Sequence, residues 1–301
     1  VETQASRLTL KRIFASGEFR QQRFGPARWL ADGSGYVTLE HSGEKGTDMV
    51  HVSSKGGKKR ILVASSELVP PGYADPLAIA DYSWSPGHDK LLIFTNTRRV
   101  WRANTRGDYW LYTMSDKSLR RIGSEFPEAG LMFAKFSPSG DRIAFVHNND
   151  IYVEETGGGR TIRLTWDDSD TIINGTFDWV YEEEFHNRDG FRWSPDGDHI
   201  AFWQLDTEGV KDFILINNTD GLYPELKRFP YPKVGTTNSA CRVGVVASGG
   251  GPVTWMNVPG DERDNYISRM QWEPEGKEIL IQRMNRKQNR NKAMFCDAVS
   301  G

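Results

Sequence analysis

The sequence predicts an all-β fold, a β-propeller of four-stranded antiparallel blades. Three observations carry that prediction: a recurring turn motif, apolar runs suited to strands, and repeat units long enough for two hairpins. The motif reads RWLADGSGYVTLE from Arg28, SWSPGHDKLLIFT from Ser83, KFSPSGDRIAFVH from Lys135, RWSPDGDHIAFWQ from Arg192 and QWEPEGKEILIQR from Gln271. Pro fixes φ near −65° at the first central turn position, and Gly or Asp tolerates the conformations of the next positions, so each copy is expected to be a hairpin corner. The runs after the corners, such as IAFVH, HIAFWQL and EILIQRM, are rich in β-branched and aromatic residues, as half-buried or fully buried strands require.

The corner aromatics Trp29, Trp84, Phe136, Trp193 and Trp272 stand 55, 52, 57 and 79 residues apart. That spacing leaves room in each unit for a second hairpin, for example DIYVEET (150–156) and RTIRLT (160–165) across a GGG turn. Four antiparallel strands repeated in this way are the signature of propeller blades. A large β-sandwich would not need the same aromatic at every corner.

In chain order, the first unit holds KGGKKR (55–60), which reads as a solvated turn. The second holds the tripeptide RGD (106–108), expected in a strand-to-strand connection. Two stretches exceed the repeat: 166–189 before the fourth corner and 205–266 after it. The fifth unit carries RMNRKQNRNK (283–292), another basic turn, and ends at MFCDAVSG with no fourth strand. Four blades and most of a fifth are therefore expected, with residues 1–301 forming part of one propeller domain. An array that stops in mid-blade leaves a sheet edge open, so the chain is expected to be the front part of a longer protein.

Bulk composition narrows the function. The balance of 38 basic against 40 acidic residues, net −2, favours neither nucleic acid nor an anionic membrane as partner. No stretch approaches the roughly 18 apolar residues of a membrane span, and the start, VETQASRLTLKR, lacks an apolar signal core. Val at position 1 suggests a processed or trimmed product. Cys241 and Cys296 lack any C-x-x-C partner and are expected as free thiols. The sequons at Asn174 and Asn217 matter only in a eukaryotic secretory route.

Chemistry concentrates in DWVYEEEF (178–185). Asp178 is placed to cap a short helix, and carboxylates near a helix start are favoured by its dipole, so a solvated acidic face is the plain explanation. The flanking Trp179, Tyr181 and Phe185 argue instead for a segment pinned to the body. Successive helix residues project about 100° apart, so Glu183 and Glu184 are expected to converge while Glu182 turns away. Two carboxylates suit an ammonium group, which brings three donors. Each contact attracts on the order of 4 kcal/mol at an effective dielectric near 20, before desolvation. Calcium would want six to eight oxygens from a D-x-D-x-D type of loop, which is absent; no metal or cofactor is expected.

DWVYEEEF, YPKVGTTN (231–238), NNDIYV (148–153) and VWRANTRGDYWLY (100–112) together resemble the propeller domain of the dipeptidyl peptidase IV family, from about residue 80 onward. The resemblance implies an eight-bladed propeller followed by an α/β-hydrolase domain. It also implies release of dipeptides, typically with Pro or Ala second, from peptides with a free N-terminus. By motif position Glu183 and Glu184 resemble the two glutamates that grip the substrate's amino group. Arg102 resembles the family arginine that reaches the peptide carbonyl. The chain has no G-x-S-x-G elbow, so alone it is expected to be inactive, with the nucleophile in a downstream hydrolase domain. The resemblance further implies a secreted or periplasmic protein and leaves open a homodimeric parent. After Asn238 stands Ser239, where the family usually has Pro, so a different local turn is expected. The rival is a non-catalytic propeller that binds peptides or proteins.

Overall fold

The computed structural model describes residues 7–19, 21, 26–43 and 46–301. The chain divides after Leu77 into two compact units. In the first, β1 (Ala27–Trp29), β2 (Gly35–Ser42), β3 (Gly46–Ser53) and β4 (Lys59–Val63) form one antiparallel sheet in chain order. Lys55 lies in the β3–β4 turn, and Lys59, which opens β4, pairs with Glu40 at 2.6 Å, so KGGKKR is the solvated turn its sequence suggests.

The second unit continues the pattern. β5 (Asp81–Trp84), β6 (Lys90–Val100), β7 (Ala103–Thr113) and β8 (Leu119–Arg121) make one blade. β9 (Leu131–Phe136), β10 (Arg142–His147), β11 (Asp150–Glu155) and β12 (Ile162–Arg163) make the next. A short pairing of β7 with β9, Arg106 with Met132 and Gly107 with Leu131, ties these two blades together. After β13 (Ile172–Asn174) comes the helix α1 (Trp179–Phe185), and then a blade of β14 (Phe191–Trp193), β15 (His199–Asp206), β18 (Ala240–Ala247) and β19 (Thr254–Trp255). Between β15 and β18 the chain makes a separate two-stranded arm, β16 (Asp212–Asn217) with β17 (Glu225–Pro230). The last sheet has three strands, β20 (Asn265–Trp272), β21 (Glu278–Asn285) and β22 (Asn291–Asp297). The two stretches that exceed the repeat thus hold α1 and the arm.

Each of the five corner aromatics is the last residue of the first strand of its blade. The residue after each donates its backbone N–H to the carbonyl five residues on, as in Ser137 to Arg142 at 2.8 Å and Glu273 to Glu278 at 3.0 Å. The fourth residue past the aromatic has positive φ: Gly33, Gly140, Gly197 and Gly276, with His88 taking the place of glycine in the second corner. Corners also stack from blade to blade. A Cβ on Gly140 would stand 3.2 Å from Pro86 Cδ, and one on Gly197 3.3 Å from Pro138 Cδ. Trp272 Nε1 reaches the carbonyl of Arg192, the residue before the preceding corner aromatic, at 3.1 Å.

Alternate residues of one strand feed different cores, because side chains leave a strand on opposite faces. Ile143 and Phe145 pack with Leu92 and Leu111 of the preceding blade, whereas Ala144 and Val146 pack with Phe191, Ile200 and Phe202 of the following one. Central strands buried on both faces need continuous apolar runs, which explains IAFVH and HIAFWQL.

Three expectations are corrected. RGD lies within β7 and not in a connection: Asp108 is 5% exposed and accepts from Arg121 and Asn96, so the strand ladder and core enclose it. Only Ile162 and Arg163 of RTIRLT form strand, because the Thr165 hydroxyl turns back to Ile151 N and Asp150. The Asn174 carboxamide is buried and bonded to Asp167 and Gln204, which leaves that sequon closed to glycosylation in the folded chain. Both cysteines are free thiols. No helix among the described residues is long and apolar enough to cross a membrane.

Candidate functional site

α1 begins because Asp178 sits in extended backbone and its Oδ1 accepts the Tyr181 N–H at 3.0 Å. The helix ends at His186 in the left-handed conformation, whose N–H donates to Glu182 O at 3.1 Å. Seven residues cannot hold a helix by propensity, so tertiary contacts must. Tyr181 supplies one. At the irregularity between Ile267 and Arg269 the β20 ladder slips, and the Ile267 N–H donates instead to the Tyr181 hydroxyl at 3.0 Å. The Ile267 carbonyl takes the Trp203 Nε1–H at 2.9 Å. Phe177, Val180 and Tyr181 sink into the core shared by the fourth and fifth blades.

Burial holds the Asp178 carboxyl above the usual carboxylate range, countered by hydrogen bonds from Ser239 and from the Tyr181 N–H. Ser239 Oγ donates to Asp178 Oδ2 at 2.6 Å. Beside it Asn238 Nδ2 donates to the Tyr266 hydroxyl at 2.9 Å.

The three glutamates take three different environments. Glu182 turns inward: it is 6% exposed and accepts from Arg188 Nε at 3.0 Å, six residues on. Glu183 is half-buried and pairs with Arg102 Nη2 at 2.6 Å. Glu184 is exposed and accepts from Gln288 Nε2 at 3.3 Å. Glu182 therefore turns into the body of the protein, while Glu183 and Glu184, which were expected to converge, take separate partners on its outer side. Arg102 comes from the two-residue turn between β6 and β7, where Val100 pairs with Ala103. Glu184 lines a cavity of about 760 Å³ together with Trp179, Phe213, Tyr231, Tyr266 and Gln288.

Arg102, Glu183 and Glu184 carry one positive and two negative charges, so a single ammonium would complete neutrality. Arg102 pairs with Glu183, which leaves the Glu184 charge faced by the neutral Gln288. Gln288 carries no sequence signal: it sits in the basic β21–β22 turn, which reads only as a solvated loop. Ser239, Asn238 and Arg188 are likewise ordinary polar residues until the chain is folded.

A family model for the dipeptidyl peptidase IV N-terminal region matches residues 85–301. Dipeptidyl aminopeptidase B of Saccharomyces cerevisiae is 32% identical over 231 residues, which cover 74% of this chain and 28% of that protein. Inactive dipeptidyl peptidase 10 of Rattus norvegicus is 25% identical over 309 residues, covering 98% of this chain and 36% of the relative. The crystal structure of Porphyromonas gingivalis dipeptidyl peptidase 4 matches with a TM-score of 0.82 at 26% identity, over 96% of this chain and 40% of that one. The chain thus spans well under half the length of each of these relatives. With antiparallel propeller blades throughout and a family match over most of its length, this chain belongs to the dipeptidyl peptidase IV N-terminal region family.

Proposed function

We propose that this propeller portion anchors the protonated amino terminus of peptide substrates for a serine dipeptidyl-peptidase. The nucleophile then belongs to an α/β-hydrolase domain elsewhere in the parent protein. The observation that carries the reading is the pairing of Arg102 with Glu183 on a short helix locked into the core, where the next residue, Glu184, stands in a cavity wall. Glu183 and Glu184 receive the ammonium, and Arg102 reaches the carbonyl of the first peptide bond. Holding an amine two residues, roughly 7 Å of extended chain, from a nucleophile turns the site into a ruler that selects dipeptides. Substrates with Pro or Ala second are the expected class.

The test is cleavage of Xaa-Pro amides by the full-length protein. Glu183→Gln and Glu184→Gln should each lower kcat/KM by about 100-fold, since each removes a charge-assisted contact. N-acetylation of the substrate should abolish cleavage. Equal turnover of acetylated and free peptides would sink the reading.

The likeness to an inactive relative along 98% of the chain favours a second reading, a propeller that binds peptides without cleaving them. A full-length protein that binds Xaa-Pro dipeptides but turns over no amide would establish it.

A further inference from the structure

Arg102 rides on a hairpin tip that extends past the outer strands of its own blade, held there by β6–β7 pairing alone. β5 pairs with β6 only at residues 91–94, and β8 pairs with β7 only at residues 110–112. The turn is strained as well: Trp101 has φ 43°, a left-handed conformation unfavourable for a bulky side chain. A two-residue hairpin turn calls for positive φ at its first central residue, and Arg99 Nε holds the Trp101 carbonyl at 2.9 Å, so the turn is fixed locally while the direction in which the tip leans is not. The Arg102–Glu183 pair is too weak to set that direction, because 68% of the Arg102 side chain is exposed and a solvated ion pair contributes little.

The arm supplies the support. The Trp101 indole meets Phe229 of β17 edge-on, with centroids 5.0 Å apart. Phe229 is the ladder partner of Phe213 across the arm, their rings 6.0 Å apart. Phe213 lies 5.3 Å from Tyr231, and Tyr231 lies 4.3 Å from Trp179, the first residue of α1. A continuous row of rings therefore runs from the residue before Arg102 to the helix turn below Glu183. The ion pair at 2.6 Å closes the loop on the other side.

We propose that Phe229 is a positioning residue for the amine site: through Trp101 it sets the tip that presents Arg102 to Glu183, and through Tyr231 and Trp179 it fixes that tip to the helix bearing both glutamates. The proposal rests on the reading of Arg102, Glu183 and Glu184 as a peptide anchor. It makes the arm part of the binding machinery.

The experiment is calorimetric binding of the dipeptide Ile-Pro to the full-length protein. Phe229→Ala should weaken binding about tenfold through loss of orientation, and Phe229→Tyr should restore it. In an Arg102→Ala background Phe229→Ala should have no further effect, because its action passes through Arg102. Trp101→Gly, which suits the left-handed turn but removes the ring, should weaken binding as Phe229→Ala does without lowering the melting temperature. Should Phe229→Ala fail to fold, Trp101→Gly and Phe229→Leu carry the same comparison. Unchanged binding by Phe229→Ala, or an equal loss with and without Arg102, would overturn the positioning role. If Glu183→Gln and Glu184→Gln weaken binding while Phe229→Ala does not, the anchor stands and only this proposal falls. If the glutamate variants bind normally, or the wild type does not bind, the anchor itself is wrong.

Discussion

Ser239 donates its hydroxyl to the buried carboxylate of Asp178 at 2.6 Å, joining the residue that leads into β18 to the cap of the glutamate helix. Proline, which the family resemblance implies at this position, has no such donor. Both residues are about 5% exposed or less, so the bond is shielded from competing water.

Ser239→Ala should therefore destabilise the fold by about 1–3 kcal/mol, as expected when a buried acceptor loses a partner. Burial raises the Asp178 pKa in the folded state, and the variant should raise it further. A carboxyl with a raised folded pKa favours folding while protonated, and that contribution is lost as pH rises through the folded value. The deficit of the variant against wild type should thus be larger at about pH 7 than at about pH 4.5, in urea titrations at the two pH values.

Glu182 should behave unlike its two neighbours. Glu182→Ala removes the inward pair with Arg188 and should cost about 1–3 kcal/mol of stability. Dipeptide binding should stay within about twofold of wild type, because the helix keeps its cap and its Tyr181 bond. A loss of binding as large as that of Glu184→Gln would show that the inward glutamate belongs to the anchor.

The corner stack can be probed at Gly140. Its φ of 74° disfavours any side chain, and an added Cβ would press on Pro86 of the preceding blade. Gly209 has φ 77°, but a Cβ there would meet nothing within 4 Å. Gly209→Ala should cost about 1 kcal/mol from backbone strain alone, and Gly140→Ala about 1–3 kcal/mol more through overpacking. Equal melting temperatures for the two variants would remove the stacking contribution.

Lys135 gives the fold an alkaline signature. Burial pushes its ammonium down to about 8, against the pull of Asp189, even though 26% of the side chain meets solvent. The ammonium also lies 3.8 Å from the Phe191 ring centre and donates to the Phe191 carbonyl at 3.0 Å. Between about pH 8 and about pH 10.5 the unfolded chain binds a proton that the folded chain has released, so stability should rise with pH across that window. Lys135→Met should flatten the rise, read from urea midpoints at the two ends.

The blades were legible in the sequence because their causes are local. Five corners announce themselves by a turn residue, Asp or Gly, after an aromatic, four of them with Pro as well, and strands buried on both faces show as unbroken apolar runs. The Asp178 cap was legible for the same reason: its acceptor and donor lie three residues apart. The 100° step between helix residues foretold that the three glutamates would not share one direction. Which side faced the core depended on Tyr181 finding the displaced N–H of Ile267, 86 residues away. Arg102 meets Glu183 across 81 residues and Gln288 meets Glu184 across 104, and neither separation is encoded in any local pattern. Nor could the chain order alone show that the arm's rings bridge Trp101 and Trp179. Local turn chemistry and strand period therefore determined the blades, whereas the packing of one blade against the next decided which charges and rings meet at the site.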